Sequence, residues 1–274
     1  MSQMEVLAPA KINLFLHVIG RRSDGYHELQ SVFRTLDLAD RVSVAVAPGS
    51  ARVDISAPAS LGAKEDNLAW KAAVRFLEVT DWHVDVSIRL DKRIPVGAGL
   101  GGGSSDAAAV LQVLNRLSGG RATVHQLFAI ALSLGADVPF FLQGGSAWVE
   151  GIGESIRAIE LGPSWYLLVN PGIHVSTQEI FQAEELTRCH EVRTIAAFLS
   201  GDAREEDWVN DLEPVVCSRF EEVRTLQRWF RQYGAAKMSG SGSTFFLECE
   251  SEQQARAIEK AVPNGWWHFA AQSH

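Results

Sequence analysis

A glycine-rich segment at residues 94–106 constrains this chain more than any other feature. Five glycines fall within the seven residues 97–103, and two serines and an aspartate end the segment. Apolar and polar residues alternate just before it, over residues 83–90, which predicts a half-buried strand. A run of helix-forming residues follows it, from Ala107 to Leu117. The predicted order is therefore strand, glycine-rich loop and helix N-terminus.

This order predicts a site for an anion, most simply a phosphate group. Glycine adopts positive φ and lets a ligand approach the backbone, and a helix N-terminus offers unpaired N–H groups and a positive dipole end. A P-loop would need a lysine after the last glycine, but Ser104 follows Gly103. A dinucleotide-binding loop would need an acidic residue about 20 positions later, and residues 107–136 contain none. We therefore expect a phosphate loop of a third kind; the alternative is a tight glycine-rich turn.

Composition restricts the classes of protein to which this segment can belong. The chain has 274 residues, 46% of them hydrophobic and 21% charged, as in a globular protein of one large or two modest domains. Its net charge of −8 argues against a broad surface for nucleic acid or for an anionic membrane. The three cysteines are far apart and predict neither a disulfide framework nor a zinc site. The first residues lack the features of a signal peptide, so we expect a cytoplasmic protein.

The first predicted strand, residues 5–18, contains two polar residues within apolar sequence. Lys11 and Asn13 are two positions apart, so they lie on the same face of the strand. They either point into solvent from an amphipathic strand or serve a functional site. The spacing alone favours neither interpretation.

The next informative segment contains a turn at Asp24 and Gly25, which is followed by Tyr26 and His27. A single aromatic residue after a turn is usually a core or surface residue. An aromatic residue and a histidine together at a loop edge also suit stacking on, and hydrogen bonding to, a nucleobase. The residues themselves leave both possibilities open.

Asp137 is the only acidic residue between Asp106 and Glu150, and it lies in strongly apolar sequence. A buried carboxylate needs a cation or several N–H donors, because an unpaired one is costly and tends to protonate. Lys11, a single charge in another apolar element, is the natural candidate. We interpret the two as a catalytic pair. The alternative is that Asp137 only caps a short helix that opens with a Val-Pro pair.

The remaining pattern predicts an N-terminal domain of residues 1–158 and a C-terminal domain of residues 159–274. Helices are predicted at residues 68–79, 107–117, 124–134, 191–199, 212–232 and 252–261, and strands at 41–47, 52–57, 146–150, 165–170 and 266–271. A second loop rich in glycine and serine, residues 238–244, precedes an apolar strand and by itself also fits a hairpin turn. The histidines show no metal-ligand spacing, so we expect no metal site built on them.

Three segments together resemble the GHMP kinase superfamily of small-molecule kinases: APAKINL at residues 8–14, PVGAGLGGGSS at 95–105 and MSGSGST at 238–244. Three others resemble one branch of that superfamily: GYHELQ at residues 25–30, GADVPFF at 135–141 and NDLE at 210–213. The resemblance covers nearly the whole chain. It implies an α+β, two-domain GHMP kinase fold, with a ribosomal S5 domain 2-like N-terminal domain that binds ATP and a ferredoxin-like C-terminal domain.

Members of this branch transfer the γ-phosphoryl group of ATP to the 2-hydroxyl of 4-diphosphocytidyl-2-C-methyl-D-erythritol, in non-mevalonate isoprenoid precursor biosynthesis. The resemblance thus implies ATP and Mg²⁺ as cofactors, this cytidyl diphosphate methylerythritol as the small-molecule substrate, and no nucleic-acid or membrane partner. Ser105 is a candidate ligand for the metal, whose protein ligands the resemblance leaves open. We expect a monomer or a weak homodimer.

The resemblance also implies roles for individual residues. Asp137 matches the catalytic base and Lys11 the catalytic lysine. Tyr26, His27 and Phe181 match the positions that hold the cytosine ring. Asn13 matches a position near the erythritol end of the substrate. The ATP phosphate loop is matched by a continuous run: Pro95, Val96, Gly97, Ala98, Gly99, Leu100, Gly101, Gly102, Gly103, Ser104 and Ser105.

These roles suit phosphoryl transfer, which needs positioning and charge stabilisation more than covalent chemistry. An aspartate accepts the proton of the attacking hydroxyl, and a lysine beside it keeps that carboxylate ionised. The N–H groups of a glycine-rich loop stabilise negative charge on the phosphates.

Two other functions are alternatives to this prediction. One is a GHMP kinase for homoserine, mevalonate or a sugar, against which Tyr26, His27 and Phe181 argue, because together they suit a flat base. The other is a non-catalytic RNA-binding module built on the S5-like fold. The acidic net charge argues against it, as do Asp137 and Lys11, which such a module does not need.

Overall fold

The computed structural model describes residues 2–200 and 207–273. The chain divides into two compact units, each built from three separate segments. The first unit comprises Met1–Ala10, Leu38–Val96 and Gly101–Gly144. The second comprises Lys11–Asp37, Gly97–Leu100 and Gly145–His274. The boundary expected between residues 158 and 159 separates the two domains of the family, which differ from these compact units, and it stays a prediction.

Two long strands, β1 (Ser2–Arg21) and β2 (His27–Pro48), contribute residues to both units. In the first unit, β2 pairs antiparallel with β4 (Val84–Asp91), and β4 pairs parallel with β3 (Val53–Ser56). Buried and exposed residues alternate along most of β4, as its sequence predicts, because only one face of the strand lies on the core.

The helices of the first unit are α1 (Leu68–Thr80), α2 (Gly102–Leu117), α3 (Val124–Leu134) and α4 (Val138–Gln143), with 3₁₀ turns at Ala59–Leu61 and Lys64–Asp66. Two of them begin at local signals. The Asn67 side chain accepts a bond from the backbone of α1, and Thr123 forms a capping box with Gln126 at the start of α3. The predicted starts of α1 and α3 are therefore confirmed.

The strands of the second unit form two groups. The first half of β2 pairs antiparallel with β5 (Ser146–Gly151), which pairs antiparallel with β6 (Ser155–Ile159). The other group has the order β10-β7-β9-β8 with antiparallel neighbours, and its strands are β7 (Trp165–Asn170), β8 (Lys237–Met238), β9 (Phe245–Cys249) and β10 (Trp267–Gln272).

The helices of the second unit are α5 (Thr177–Gln182), α6 (Ile195–Ser200), α7 (Glu213–Arg219), α8 (Glu221–Phe230) and α9 (Glu252–Glu259). The single helix predicted for residues 212–232 is wrong, because Phe220 adopts an extended conformation that ends α7 and precedes α8. Among the residues that the structure describes, no helix is long and apolar enough to cross a membrane.

Candidate active site

Lys11 and Asn13 are buried in the second unit. Only 3% of Lys11 and 1% of Asn13 is exposed. The Lys11 ammonium donates to Oδ1 of Asn13 at 2.7 Å and lies 4.5 Å from the centre of the Phe33 ring. The interpretation of these two residues as a solvent-facing pair is therefore wrong.

The orientation of the Asn13 amide is set by its neighbours. Its Nδ2 donates to the Ser31 hydroxyl at 3.0 Å, and that hydroxyl donates to the carbonyl oxygen of Phe15 at 2.5 Å. Because the Ser31 proton is used on a carbonyl, the Ser31 oxygen must accept from the nitrogen of the amide. The oxygen of the amide is thereby left for the Lys11 ammonium, which is held at a defined position.

The middle of the first glycine-rich loop, Gly97–Leu100, belongs to the second unit and contacts the second glycine-rich loop there. The carbonyl oxygen of Gly99 accepts a bond from the Ser239 hydroxyl at 2.9 Å. Gly99 has a φ of 77°, and a Cβ at this position would lie far inside the contact distance of the Ser239 carbonyl oxygen. The close approach of the two loops therefore requires glycine.

The end of the first loop, in the first unit, leads directly into α2. Gly101 is the N-cap residue with a φ of 71°, and no side chain caps the helix. The N–H groups of the first turn are thus left without a capping side chain. A helix N-terminus of this kind favours an anion, as the sequence predicts for this loop.

A buried cluster of three charges in the first unit holds both ends of this loop. The Lys92 ammonium donates to Asp106 at 2.6 Å and also to Asp40. The other oxygen of Asp40 accepts from the backbone N–H groups of Arg93 and Ile94 at 2.5 and 2.9 Å. Burial raises the pKa of the Asp106 carboxyl to about 7, against the opposing effect of the Lys92 charge. The loop therefore starts and ends at groups bound to one charged centre.

Two observations bear on a metal ion. Within residues 2–200 and 207–273, no group of three histidine, cysteine, aspartate or glutamate side chains is placed to hold one. The Ser105 hydroxyl, at the start of α2, is buried and has no hydrogen-bond partner among these residues. A buried hydroxyl without a hydrogen-bond partner is more available to bind a metal ion than a hydroxyl that is already paired.

Asp137 lies in the first unit, immediately before α4. It occupies the N-cap position, but its side chain makes no capping hydrogen bond. Capping by the side chain is therefore not what this carboxylate does. Lys11 belongs to the second unit, and the pairing of Lys11 with Asp137 stays a prediction.

His27 and Phe181, two of the residues predicted to hold a base, lie side by side in the second unit. Their ring centres are 5.2 Å apart at an interplanar angle of 32°. Tyr26, next to His27 in the chain, is 61% exposed and so has no core role. Its backbone N–H donates to Asp24 at 3.1 Å, and Gly25 has a φ of 91°, which confirms the predicted turn.

Arg188 is absent from the predicted site residues, yet it holds this pair together. Its Nε donates to Nε2 of His27 at 3.0 Å, and its Nη2 donates to the carbonyl oxygen of Phe181 at 3.1 Å. Burial lowers the pKa of His27, and the charges of Arg188 and Arg21 lower it further, so the imidazole is neutral near pH 7. Arg188 follows α5 in irregular chain, where no sequence pattern marks it.

The second glycine-rich loop connects β8 to β9, so the interpretation as a hairpin turn is confirmed. The amide nitrogen of Asn210 donates to the carbonyl oxygens of Met238 and Gly240 at 2.7 and 2.8 Å. Asn210 opens the NDLE segment, and its role is thus to hold the loop that contacts Gly99.

Comparison with known proteins agrees with this arrangement. The models of the GHMP kinases N terminal domain and of the GHMP kinases C terminal match residues 67–145 and 194–267. The 4-diphosphocytidyl-2-C-methyl-D-erythritol kinase of Burkholderia thailandensis is 43% identical over 99% of this chain and 94% of its own length. The chain belongs to the GHMP kinase family.

Two further comparisons are as extensive. The 4-diphosphocytidyl-2-C-methyl-D-erythritol kinase of Halorhodospira halophila is 45% identical to this GHMP kinase, and the match spans 97% of this chain and 91% of the relative. A crystal structure of 4-(cytidine 5'-diphospho)-2C-methyl-D-erythritol kinase superposes with a TM-score of 0.82 at 38% identity, over 98% of this chain and 99% of the other. The predicted two-domain GHMP kinase fold is confirmed, and the chain is a small-molecule kinase with ATP as its phosphate donor.

Proposed function

We propose that this GHMP kinase phosphorylates the 2-hydroxyl of 4-diphosphocytidyl-2-C-methyl-D-erythritol and so serves non-mevalonate isoprenoid precursor biosynthesis. The observation that carries the proposal is the pair of His27 and Phe181, 5.2 Å apart, with the exposed Tyr26 next in the chain. Flat side chains with a hydrogen-bonding nitrogen suit a nucleobase, which homoserine, mevalonate and sugars lack. Relatives named for the cytidyl substrate, 42–45% identical to this chain, support it.

Asp137 is the proposed general base. It accepts the proton of the 2-hydroxyl as the hydroxyl oxygen attacks the γ-phosphorus atom, and the bond from that phosphorus to the leaving oxygen of ADP breaks. Lys11 is proposed to stabilise the negative charge that develops on the attacking oxygen, with Asn13 holding it at the erythritol end of the substrate. The burial of Lys11 supports this role, because a charge acts more strongly where water is scarce.

The first glycine-rich loop, residues 95–105, is the proposed site of the ATP phosphates. Mg²⁺, the usual partner of ATP in kinases, would supply positive charge against the triphosphate when bound. Ser105 is the residue proposed to hold it, because its buried hydroxyl is unpaired in the part of the chain that the structure describes. Titration of Mg²⁺ into parent and Ser105→Ala proteins at fixed ATP tests this, and an unchanged Mg²⁺ requirement would contradict it.

The proposal also includes a cytoplasmic protein that is a monomer or a weak homodimer and binds no nucleic acid. Sedimentation at several protein concentrations, with and without added RNA, tests the assembly state. Cell fractionation tests the location.

The decisive experiment is a substrate panel with the purified chain, in which ADP release is measured with the cytidyl substrate, homoserine, mevalonate and galactose. We expect turnover with the cytidyl substrate, and ³¹P NMR of the product should place the new phosphate on the 2-oxygen. Turnover of homoserine, mevalonate or galactose without turnover of the cytidyl compound would overturn the proposal. Tight RNA binding without ATP turnover would establish the non-catalytic alternative.

Asp137→Asn tests the base. Since a general base contributes roughly 10²–10⁴-fold to turnover, we expect a loss of that size in kcat with the fold and ATP binding kept. Asp81→Asn is the matched control. The Asp81 side chain is 90% exposed, so its substitution should leave kcat unchanged. Near-normal turnover of the Asp137 variant would remove this residue from the mechanism.

Tyr26→Ala tests the base pocket. Loss of a stacking ring should raise the KM for the cytidyl substrate roughly tenfold or more, while the KM for ATP changes little. Tyr26→Phe keeps the ring and should behave like the parent protein. Equal increases in both KM values would place Tyr26 outside the substrate pocket.

A further inference from the structure

The Arg188 guanidinium is fixed by four hydrogen bonds in the second unit. Besides its bond to His27 Nε2 at 3.0 Å, it donates to three backbone carbonyl oxygens. Those acceptors belong to Leu186, Phe181 and Ala183, at 3.0, 3.1 and 2.6 Å. A partly buried guanidinium with this many partners keeps one orientation, and its Nε–H remains aimed at the imidazole.

The chemistry of the donor determines the state of the acceptor. A guanidinium carries N–H donors only and keeps its proton in proteins, so it cannot accept a hydrogen bond. Nε2 of His27 must therefore be the acceptor and carry no proton. In a neutral imidazole the proton then resides on Nδ1, which becomes the only N–H donor of the ring.

The surroundings of His27 disfavour the doubly protonated ring. A proton on Nε2 would meet the Nε–H of Arg188 head on, and only 8% of His27 is exposed. The positive charges of Arg188 and Arg21 both act, with burial, to lower the pKa of His27 and so favour the neutral form. The His27 ring therefore has one free donor, Nδ1–H, and its acceptor, Nε2, is already bound to Arg188. Such a ring suits an edge of a nucleobase that carries hydrogen-bond acceptors.

We propose that Arg188 is a positioning residue that fixes His27 in the Nδ1–H form, so that His27 offers a hydrogen-bond donor to the acceptor edge of the substrate base. The O2 and N3 atoms of cytosine are such acceptors. Arg188 also binds the backbone of Phe181. The same guanidinium thus sets the protonation of His27 and the position of Phe181. The kinetic effect depends on the proposed cytidyl substrate, whereas the protonation of His27 in the free protein does not.

Long-range ¹H–¹⁵N correlation spectra of the chain, labelled with ¹⁵N-histidine, test the protonation directly. His27→Gln identifies the His27 signals among those of the eight histidines. The expected result is a protonated Nδ1 and an unprotonated Nε2 in the parent protein without substrate. In Arg188→Met the hold on Nε2 is gone, and the proton should exchange between both nitrogens. A parent spectrum with the proton on Nε2, or no change in the Met variant, would overturn the proposal.

Two other variants separate hydrogen bonding from charge. Arg188→Lys keeps a donor for Nε2 and should keep the Nδ1–H form. Arg21→Met removes the other positive charge near the ring but no bond to it, and should also keep that form. If Arg21→Met moved the proton as Arg188→Met does, the control of His27 would be electrostatic and the proposal wrong.

Kinetics supply the second measurement. Loss of one well-placed hydrogen bond should raise the KM for the cytidyl substrate about tenfold in Arg188→Met, with partial recovery in Arg188→Lys. The kcat at saturation and the KM for ATP should change little. Equal loss in every parameter, together with a lowered Tm, would show a structural role only. If the parent protein did not use the cytidyl substrate, the proposed function would fail, while the spectra would still decide the protonation of His27.

Discussion

The two glycine-rich loops of this kinase are both rich in glycine and serine but are held in different ways. The first, residues 95–105, is anchored at its ends by the charges of Lys92, Asp40 and Asp106, and Val96 within it is 53% exposed. The second, residues 238–244, is buried and is held mainly by neutral amides and hydroxyls, with one bond from the Met238 N–H to the Glu213 carboxylate at 3.0 Å. One loop keeps a backbone accessible, and the other is part of the core.

The hydroxyl groups show most clearly what the difference means. In the second loop, side-chain oxygens are bound within the second unit: Ser239 to Gly99, Ser241 to Thr177, and Ser243 to Ile173. In the first loop, the Ser105 hydroxyl is buried and unpaired among the described residues. Glycine and serine content therefore does not by itself identify a ligand loop. The useful distinction is whether the polar groups of the loop already have partners.

The largest expected effect comes from the point where the loops touch. Gly99→Ala should cost about 1–2 kcal/mol for a left-handed backbone and about 1–3 kcal/mol more for the clash with the Ser239 carbonyl. Gly119→Ala is the matched control, because Gly119 has a φ of 75° against 77° for Gly99, and no atom lies within 4 Å of its added Cβ. Urea unfolding measures both free energies. Equal losses would mean that the loop contact contributes nothing.

Asn210→Ala should loosen the second loop, and it also removes the acceptor of the buried Leu212 N–H at 2.9 Å. It leaves the carbonyl oxygens of Met238 and Gly240 buried without their donor, which we expect to lower the free energy of unfolding by about 2–3 kcal/mol. Asn115→Ala is the control, since the Asn115 side chain accepts a single bond from the Ala122 backbone at 3.0 Å and should cost about 1 kcal/mol. A smaller loss at Asn210 than at Asn115 would show that the second loop is held by its packing and not by Asn210.

The smallest effect is a dependence of stability on pH that Asp106 should give to the first loop. Burial raises the pKa of Asp106 to about 7, whereas an aspartate in an unfolded chain titrates near about 4. Between these pH values the folded protein binds more protons than the unfolded chain, so the Asp106 contribution to stability falls as pH rises. Asp106→Asn should remove that fall.

The measurement is the free energy of unfolding of parent and variant at about pH 5 and about pH 8, which lie inside and above the window of proton uptake. The variant should gain relative to the parent protein at the higher pH. Asn115→Ala, which removes a side chain that accepts from the Ala122 backbone, should show the same loss at both pH values. A pH-independent difference for Asp106→Asn would remove the distinction between charged and neutral anchoring.

Elements with local signals could be predicted from the sequence. The alternation in residues 83–90, the Asn67 cap and the Thr123 capping box placed β4, α1 and α3 close to their observed bounds. The break at Phe220 could not be predicted, because the helical pattern continues across it. Most of β2 was also missed, since residues 30–36 are all buried and no alternation marks them.

The candidate site likewise contains residues that the sequence marks and residues that it does not. Lys11, His27 and Phe181 stand in or near recognisable segments, and the structure places them in buried or partly buried polar settings. Arg188 acts on a residue 161 positions away, and Lys92 on Asp40 from a distance of 52 positions. Contacts of this kind depend on the folded chain and leave no local pattern, so sequence reasoning could not find them.

The division of each unit into three segments determines when its parts can assemble during synthesis. All segments of the first unit have been synthesised once Gly144 is added. Residues 11–37 belong to the second unit, most of which lies in the later residues 145–274. Residues 29–34 pair with residues 146–151 of β5, which leave the ribosome more than a hundred positions later. At about 5–20 residues per second, this segment waits on the order of ten seconds for β5. The nascent chain therefore passes through a stage in which one unit is complete and one edge of β2, which already pairs with β1, still lacks β5 and is open to chaperones or to misassembly.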